Sequence, residues 1–577
     1  MTLTRRLPRR WGAATAAILL AGSVLAGCGR HPAAGPAPSE RPQAGGTIVY
    51  AAPPETDINW YLPLAGTEFN SLYNFQLIYQ LYKPLIWINH QYQVNWATSV
   101  ARAVTWNPQG TVYHIFLHRR WHWSDGRPVT SRDVLFTWEV LRAASNRHAP
   151  APWPYADTGM GGLPGNIRRV TADGPYELTI TLKQPVNQEW FLYNGIAQLT
   201  PMPAAAWDRY PRDMTRELAY LGQNGTNPGF DRVVDGPYRL TRAVDKQSWT
   251  LSPNPSYDGH KALATIVLTY EASDAAEFAA LKSGAAQVGS LDPTQWGARA
   301  QLTHDRVRPA YPFAFFGVEL NMNPSDPGGL GPVFRRLYVR QALEMGIDQA
   351  AIDRLWHGFA PPQYGPVPTI PRTAFLAPGL NHPLYPFDPA RGQALLEQHG
   401  WRDVHGVMTR RGVRLAFTLL VPAGSGILTQ DAELLKADWA REGVQVTLRP
   451  EPFADITAAI GNPKASWSAA VGQGIVYGGS YPTGGEMFSS RGGMNTYGYA
   501  DPVMDRLIAR THQPAATPAA ALQAFQAYER YAARQLPMLW INNAVTLSVV
   551  ADNVHNAYHY FNYLVGFPRM QYWWIAR

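Results

Sequence analysis

Apolar positions along this chain recur at two spacings, and the two alternate. Gly46 to Tyr50 (GTIVY) predicts a short first strand. Ser71 to Leu85 places Leu72, Phe75, Ile78, Tyr79 and Tyr82 at helical spacing. Thr111 to Leu117 is β-branched and aromatic, which predicts a strand, as does Leu178 to Leu182. Between them Ser124-Asp125-Gly126 is a turn signal. Thr130, with Asp133 three residues on, caps a helix running through Val134, Leu135, Trp138 and Leu141. Further on, Val339 to Gly346 reads as a helix. Asp388-Pro389 opens another around Leu395 and Leu396, and Gly400 ends it. Leu415 to Val421 reads as a buried strand, Gln430 to Glu442 as a helix closed by Gly443, and Val444 to Leu448 as a strand again. That is a βαβ unit, which requires parallel pairing. Thr517-Pro518 opens a long helix with Ala521, Phe525, Tyr528 and Ala532 on one face. Pro537 stops it, and Met538 to Ile541 begins a strand. The class is α/β with several lobes, and no internal repeat is visible.

Composition sharpens this. At 577 residues the chain needs several domain-sized units, and 46% hydrophobic with 12% aromatic residues excludes a disordered protein. The aromatics fill cores and can also line a ligand cleft. One cysteine excludes an intrachain disulfide, a four-cysteine zinc site and a CxxC redox pair. Fifty bases against 42 acids give a net charge of +8. Part of that is a targeting signal. Arg5, Arg6, Arg9 and Arg10 precede an uncharged apolar stretch, 11–27, too short to span a bilayer. It ends in Leu25-Ala26-Gly27-Cys28, which resembles the lipobox of bacterial lipoproteins, with lipidation expected on Cys28. Residues 1–27 hold four arginines and no acid, so 46 bases then face 42 acids, a net +4. Residues 28–46 hold few large apolar side chains and read as a tether. The expected location is extracytoplasmic, anchored to a bacterial membrane by lipid.

Chemical motifs are scarce. No GxxxxGK[ST], HExxH, GxSxG or EF-hand loop occurs, and no Lys/Arg run outside the signal segment suggests nucleic acid. His114, His118 and His122 are spaced by four, a metal-ligand spacing on a helix. Their β-branched context predicts strand histidines instead, so no metal site is expected.

Trp106 to Leu141 (WNPQGTVYHIFLHRRWHWSDGRPVTSRDVLFTWEVL) resembles the signature of the family 5 extracellular solute-binding proteins of ABC importers, the peptide/nickel-binding group. Asp235-Gly-Pro-Tyr-Arg-Leu240, Pro253-Asn-Pro-Ser-Tyr257, Leu281-Lys-Ser-Gly284, Val339 to Leu343 with Ile347-Asp348, Tyr385 to Pro389 and Asn495 to Leu507 follow in the family's order. The resemblance implies a two-lobed flytrap of the periplasmic-binding-protein type with an extra subdomain (cluster C). Lobe I takes 47–85, 200–305 and 535–577, the extra subdomain 86–199, and lobe II 306–534. Hinges fall near Pro309–Val318 and Gln535–Asn542. It implies a monomer that captures a solute and delivers it to an ABC permease and ATPase, with no enzymatic activity and no cofactor. WSDG and GPY are read as structural. The cleft is carried over to Thr67, Glu68 and Phe69, to Trp153 and Tyr155, and to Gly474–Phe488, with Tyr477, Ser480, Tyr481 and Glu486. Peptide-binding members often hold an aspartate in that last segment against the peptide amine. Here Tyr477, Gly478, Gly479 and Ser480 stand there, so Glu68 or Glu486 takes the role, or the ligand has no such amine. An oligopeptide or dipeptide is the first expectation. An oligosaccharide, a nickel complex or haem is the alternative. A secreted hydrolase of peptides or glycans is a different class, and it demands a nucleophile with its base, or a carboxylate pair, in the cleft.

Overall fold

The computed structural model describes residue 42 and residues 44–576, apart from 327, 328 and 463. The signal segment 1–27, Cys28 and the tether up to residue 41 lie outside the described residues.

Three sheets organise the chain. A seven-stranded sheet runs in the order Asp305–Ala310, Thr546–Ala551, Val288–Ser290, Thr47–Ala51, Thr265–Thr269, Ser248–Pro253, Tyr238–Val244. The GTIVY segment is its central strand, parallel to both neighbours. A five-stranded sheet runs Gln445–Glu451, Ala416–Pro422, Ala469–Val476, Ala314–Leu320, Leu539–Asn543. Its βαβ unit is as the periodicity predicts: Ala416 pairs with Gln445 in parallel register, and helix Gly426–Ala440 makes the crossover. A four-stranded antiparallel sheet, Ala101–Trp106, Val112–Leu117, Glu177–Leu182 and Ile167–Gly174, forms the extra subdomain. Against it packs helix Ser131–Ala144, opened by a capping box between Thr130 and Asp133.

The backbone passes between the two large sheets twice, and the passages lie side by side. Ala310 pairs with Thr546 in one sheet, and Phe315 pairs with Asn543 in the other. The sheet changes therefore fall at 311–313 and 544–545. The second lies just beyond the expected Gln535–Asn542, because Leu539–Asn543 pairs with Ala314–Leu320 as the edge of the five-stranded sheet. Two short adjacent passages between rigid sheets form a hinge.

Each lobe has its own core. One gathers Ile48, Trp60, Trp207 and Trp249, the other Phe315, Leu419, Trp439 and Trp540. Seven tryptophans (60, 207, 249, 401, 439, 540 and 573) are fully buried, so much of the aromatic excess is core.

Candidate ligand-binding site

Strand Ala469–Val476 of the second lobe runs out into a loop that crosses to the first. Gly478 and Gly479 take φ of +58° and +97°, open to glycine at little strain. At Gly479 a Cβ would stand 3.0 Å from Ile88 Cγ1 of the extra subdomain and 3.3 Å from Val565 Cγ1 of the first lobe, so this backbone lies directly on both. Gly479→Ala is expected to weaken ligand binding about tenfold by holding the lobes apart, with the far-UV circular dichroism unchanged. Calorimetry showing wild-type affinity would contradict this.

Between the lobes lies a cavity of about 240 Å³. Phe75, Tyr79 and Phe567 line it from the first lobe, and Trp87, Tyr155, Asp157 and Tyr193 from the extra subdomain. Tyr477, Ser480, Glu486 and Met487 line it from the second lobe. Two carboxyl groups set its electrostatics. Burial pushes Glu486 up to about 7, and the neighbouring Asp157 charge adds to this. Burial likewise pushes Asp157 up to about 6, against hydrogen bonds from Tyr155 and Asn70 that favour its ionised form.

Of the residues expected at the cleft, Tyr155, Tyr477, Ser480 and Glu486 line this cavity. The Tyr477 hydroxyl donates to Pro366 O and its ring lies 5.3 Å from that of Phe313, so most of its side chain belongs to the second core. The other five expected residues lie elsewhere. Phe69 stacks on Trp60 at 4.7 Å, and Trp153 meets the same ring edge-on and donates to Leu218 O at 3.1 Å. Thr67 lies at the inter-lobe contact with helix Phe453–Gly461, its Cγ2 3.2 Å from where a Cβ on Gly461 would be. Glu68, beside it, is exposed, so of the two acids only Glu486 reaches the cavity. Tyr481 forms the seam between second lobe and extra subdomain. It exchanges two bonds with the Asn194 amide, at 2.9 and 3.0 Å, donates to Glu189 at 2.7 Å and stacks on Tyr193.

The three histidines are not brought together. His118 bonds to Trp96 O, and His122 pairs with Asp258 at 3.1 Å. His114 instead has Asp173 and Glu177 within 4.8 Å, on the partly exposed face of the extra subdomain's sheet.

Sequence reasoning missed Asp157, two residues beyond the Trp153–Tyr155 stretch. It also missed a contact outside the cavity. Asp274 and Asp292 of the first lobe accept from the backbone N–H groups of Gly426 at 2.6 Å and Ile427 at 3.2 Å, the first turn of helix Gly426–Ala440 in the second. The first N–H groups of a helix have no partner within it, so they favour such acceptors.

Two lobes on a double-stranded hinge, closed over a cavity with acidic and aromatic walls, define a solute-binding protein of the flytrap kind. The chain belongs to the family described as bacterial extracellular solute-binding proteins, family 5, whose middle region matches residues 95–495. Protein XP55 of Streptomyces lividans is 27% identical over 329 residues, covering 56% of this chain and 54% of that protein. The chain thus spans about half the length of XP55. The oligopeptide-binding protein AppA of Bacillus subtilis is 21% identical over 440 residues, 75% of this chain and 74% of AppA. Among solved structures, AppA with a nonapeptide superposes with a TM-score of 0.79 at 16% identity, over 93% of this chain and all of that one (100%). DppA of Helicobacter pylori with the peptide STSA gives 0.75 at 16%, over 93% and 99%. The periplasmic EDTA-binding protein EppA gives 0.74 at 16%, over 93% and 98%. At such identity these three share the fold alone, whatever each one binds.

Proposed function

We propose that this chain is the extracytoplasmic receptor of an ABC importer, lipidated at Cys28. It closes on an oligopeptide and hands it to a permease and its ATPase. The lobes are assigned by sheet: 47–310 and 546–576 form the first, carrying the extra subdomain at 86–199, and 314–543 form the second. The observation that carries the ligand reading is Glu486, a buried carboxyl facing the cavity. A peptide's terminal ammonium is the partner such a carboxylate lacks, since a buried charge is tolerated only when paired. Ligand contacts to both lobes exist only in the closed form, so binding shifts the open–closed equilibrium and gives a permease something to distinguish.

The test is calorimetry with a tetrapeptide and its N-acetylated twin. The free amine is expected to bind at least about thirtyfold tighter, because acetylation strands Glu486 without a cation. Equal affinities would remove the amine from the reading. Asp157 and Glu486 are also the pair a hydrolase would use. Recovery of the peptide intact after long incubation at pH 5 to 8 is the expected outcome, and cleavage abolished by Glu486→Gln would establish the hydrolase instead.

A further inference from the structure

The cavity holds two acids and no base. Glu486 enters from the second lobe, and Asp157 from the loop between helix Ser131–Ala144 and strand Ile167–Gly174. Among the described residues neither forms an ion pair, and no lysine, arginine or histidine lines the walls. Asp157 is short of donors as well. Asn70 Nδ2 reaches it at 3.4 Å, and so does the Tyr155 hydroxyl. That phenol has a single proton, which Asp157 shares with the nearer Gln198 Oε1 at 2.6 Å.

We infer that the natural solute is a dication at its buried end, with one cationic group on Glu486, a second on Asp157, and no carboxylate enclosed beside them. This rests on the cavity being the ligand site. A solute carboxylate shut in here would meet two acids and no cation, a burial that costs several kcal/mol. The aromatic part of the cavity wall suits a hydrocarbon spacer and a positive charge. Tyr79 packs edge-on against Phe567 at 4.7 Å and against Trp87 at 6.3 Å, and aromatic surfaces attract cations. Two sources share this chemistry. One is a peptide that begins with lysine, ornithine or arginine, its α-ammonium on Glu486 and its side chain on Asp157. The other is a free diamine.

Calorimetry at pH 7.5 on the purified chain, with the tripeptide amides Lys-Ala-Ala and Ala-Ala-Ala and a five-carbon diamine, tests the inference. The lysine-first amide is expected to bind at least about tenfold tighter than the alanine-first one. Asp157→Asn should reduce that preference to under about threefold, with thermal melting confirming the fold. Equal affinity for both amides overturns the dication and leaves the peptide reading standing. A preference that survives Asp157→Asn overturns the role of Asp157. Binding of the diamine with neither peptide upholds the dication and sinks the peptide reading. Failure of all three probes to bind at millimolar concentration overturns the inference.

Discussion

Asp292→Ala is expected to open the lobes and weaken ligand binding on the order of tenfold or more. Thr294 holds the Asp292 carboxylate in place, its N–H at 2.8 Å and its hydroxyl at 2.5 Å. Asp292 Oδ2 then reaches across to Ile427 N, next to the Asp274 bond to Gly426 N. Gly426 keeps the approach close, since a Cβ there would stand 2.9 Å from Thr294 Oγ1. A charge-assisted hydrogen bond is worth about 1.5–3 kcal/mol. Spent on closure alone, it moves the open–closed ratio about ten- to a hundredfold. Small-angle scattering of the variant should show a larger radius of gyration, and calorimetry a weaker Kd. An unchanged radius and Kd would remove these two acids from the closing mechanism.

The same pair predicts how binding depends on pH. Burial, and the hydrogen bond and charge of Asp292, push Asp274 up to about 8. Opening exposes Asp274 and removes the burial part of that shift, the largest, while Asp292 on the same lobe stays beside it. The closed form therefore holds the extra proton between the two values, and closure weakens as pH rises through 8. Glu486 works in the opposite direction. Its carboxylate, the partner of a cation, is lost as pH falls through about 7. Affinity for a cationic solute should peak between pH 7 and 8. Glu486→Gln should leave only the lower acid limb set by Asp157, near 6, and Asp274→Asn should flatten the alkaline one.

Much of the fold was legible in the sequence because its signals are local. Thr130 with Asp133, Asp388 with Pro389, and Thr517 with Pro518 each mark a helix start by chemistry within four residues, and each helix begins there. The parallel βαβ unit follows from periodicity alone. The cavity was legible only in part. Glu486 and Tyr477 lie in one continuous segment that the family resemblance picks out. Asp157 reaches the cavity because Ala156 N bonds to Ala65 O, a pairing across 91 positions that fixes its loop against the first lobe. Nothing near Asp157 in the sequence sets it apart from the other acids of the chain. The Asp274–Asp292 contact depends on a helix from the other lobe, so no local pattern encodes it. Phe69 and Trp153 misled for a related reason. An aromatic near a cleft segment and an aromatic stacked on Trp60 look the same in sequence.

Glu442→Gln is expected to stabilise the protein at pH 9 and to change little at pH 5. Glu442 lies in the turn after helix Gly426–Ala440 and is fully buried, and neither side-chain oxygen has a hydrogen-bond partner among the described residues. Two glycines make room for it. A Cβ at Gly392 would stand 2.0 Å from its Oε1, and one at Gly346 would stand 3.0 Å from its Cδ. Burial, with the charges of Asp438 and Asp388 adding, pushes the group up to about 9, so it is protonated at neutral pH. Unfolding returns it to an ordinary glutamate. The folded state therefore binds the extra proton between the two values. Its contribution to stability is fully present below the unfolded value and is lost as pH rises through 9. Glutamine keeps the shape of the protonated acid and cannot ionise. The gain at pH 9 should be on the order of 2–4 kcal/mol, read as a shift in the urea midpoint, against a few tenths at pH 5. Glu529, pushed up to about 8, and Glu319, pushed up to about 7, act in the same sense, so the wild-type midpoint itself should fall from pH 5 to pH 9. A variant that shifts the midpoint equally at both pH values would show that Glu442 acts through packing and not through its proton.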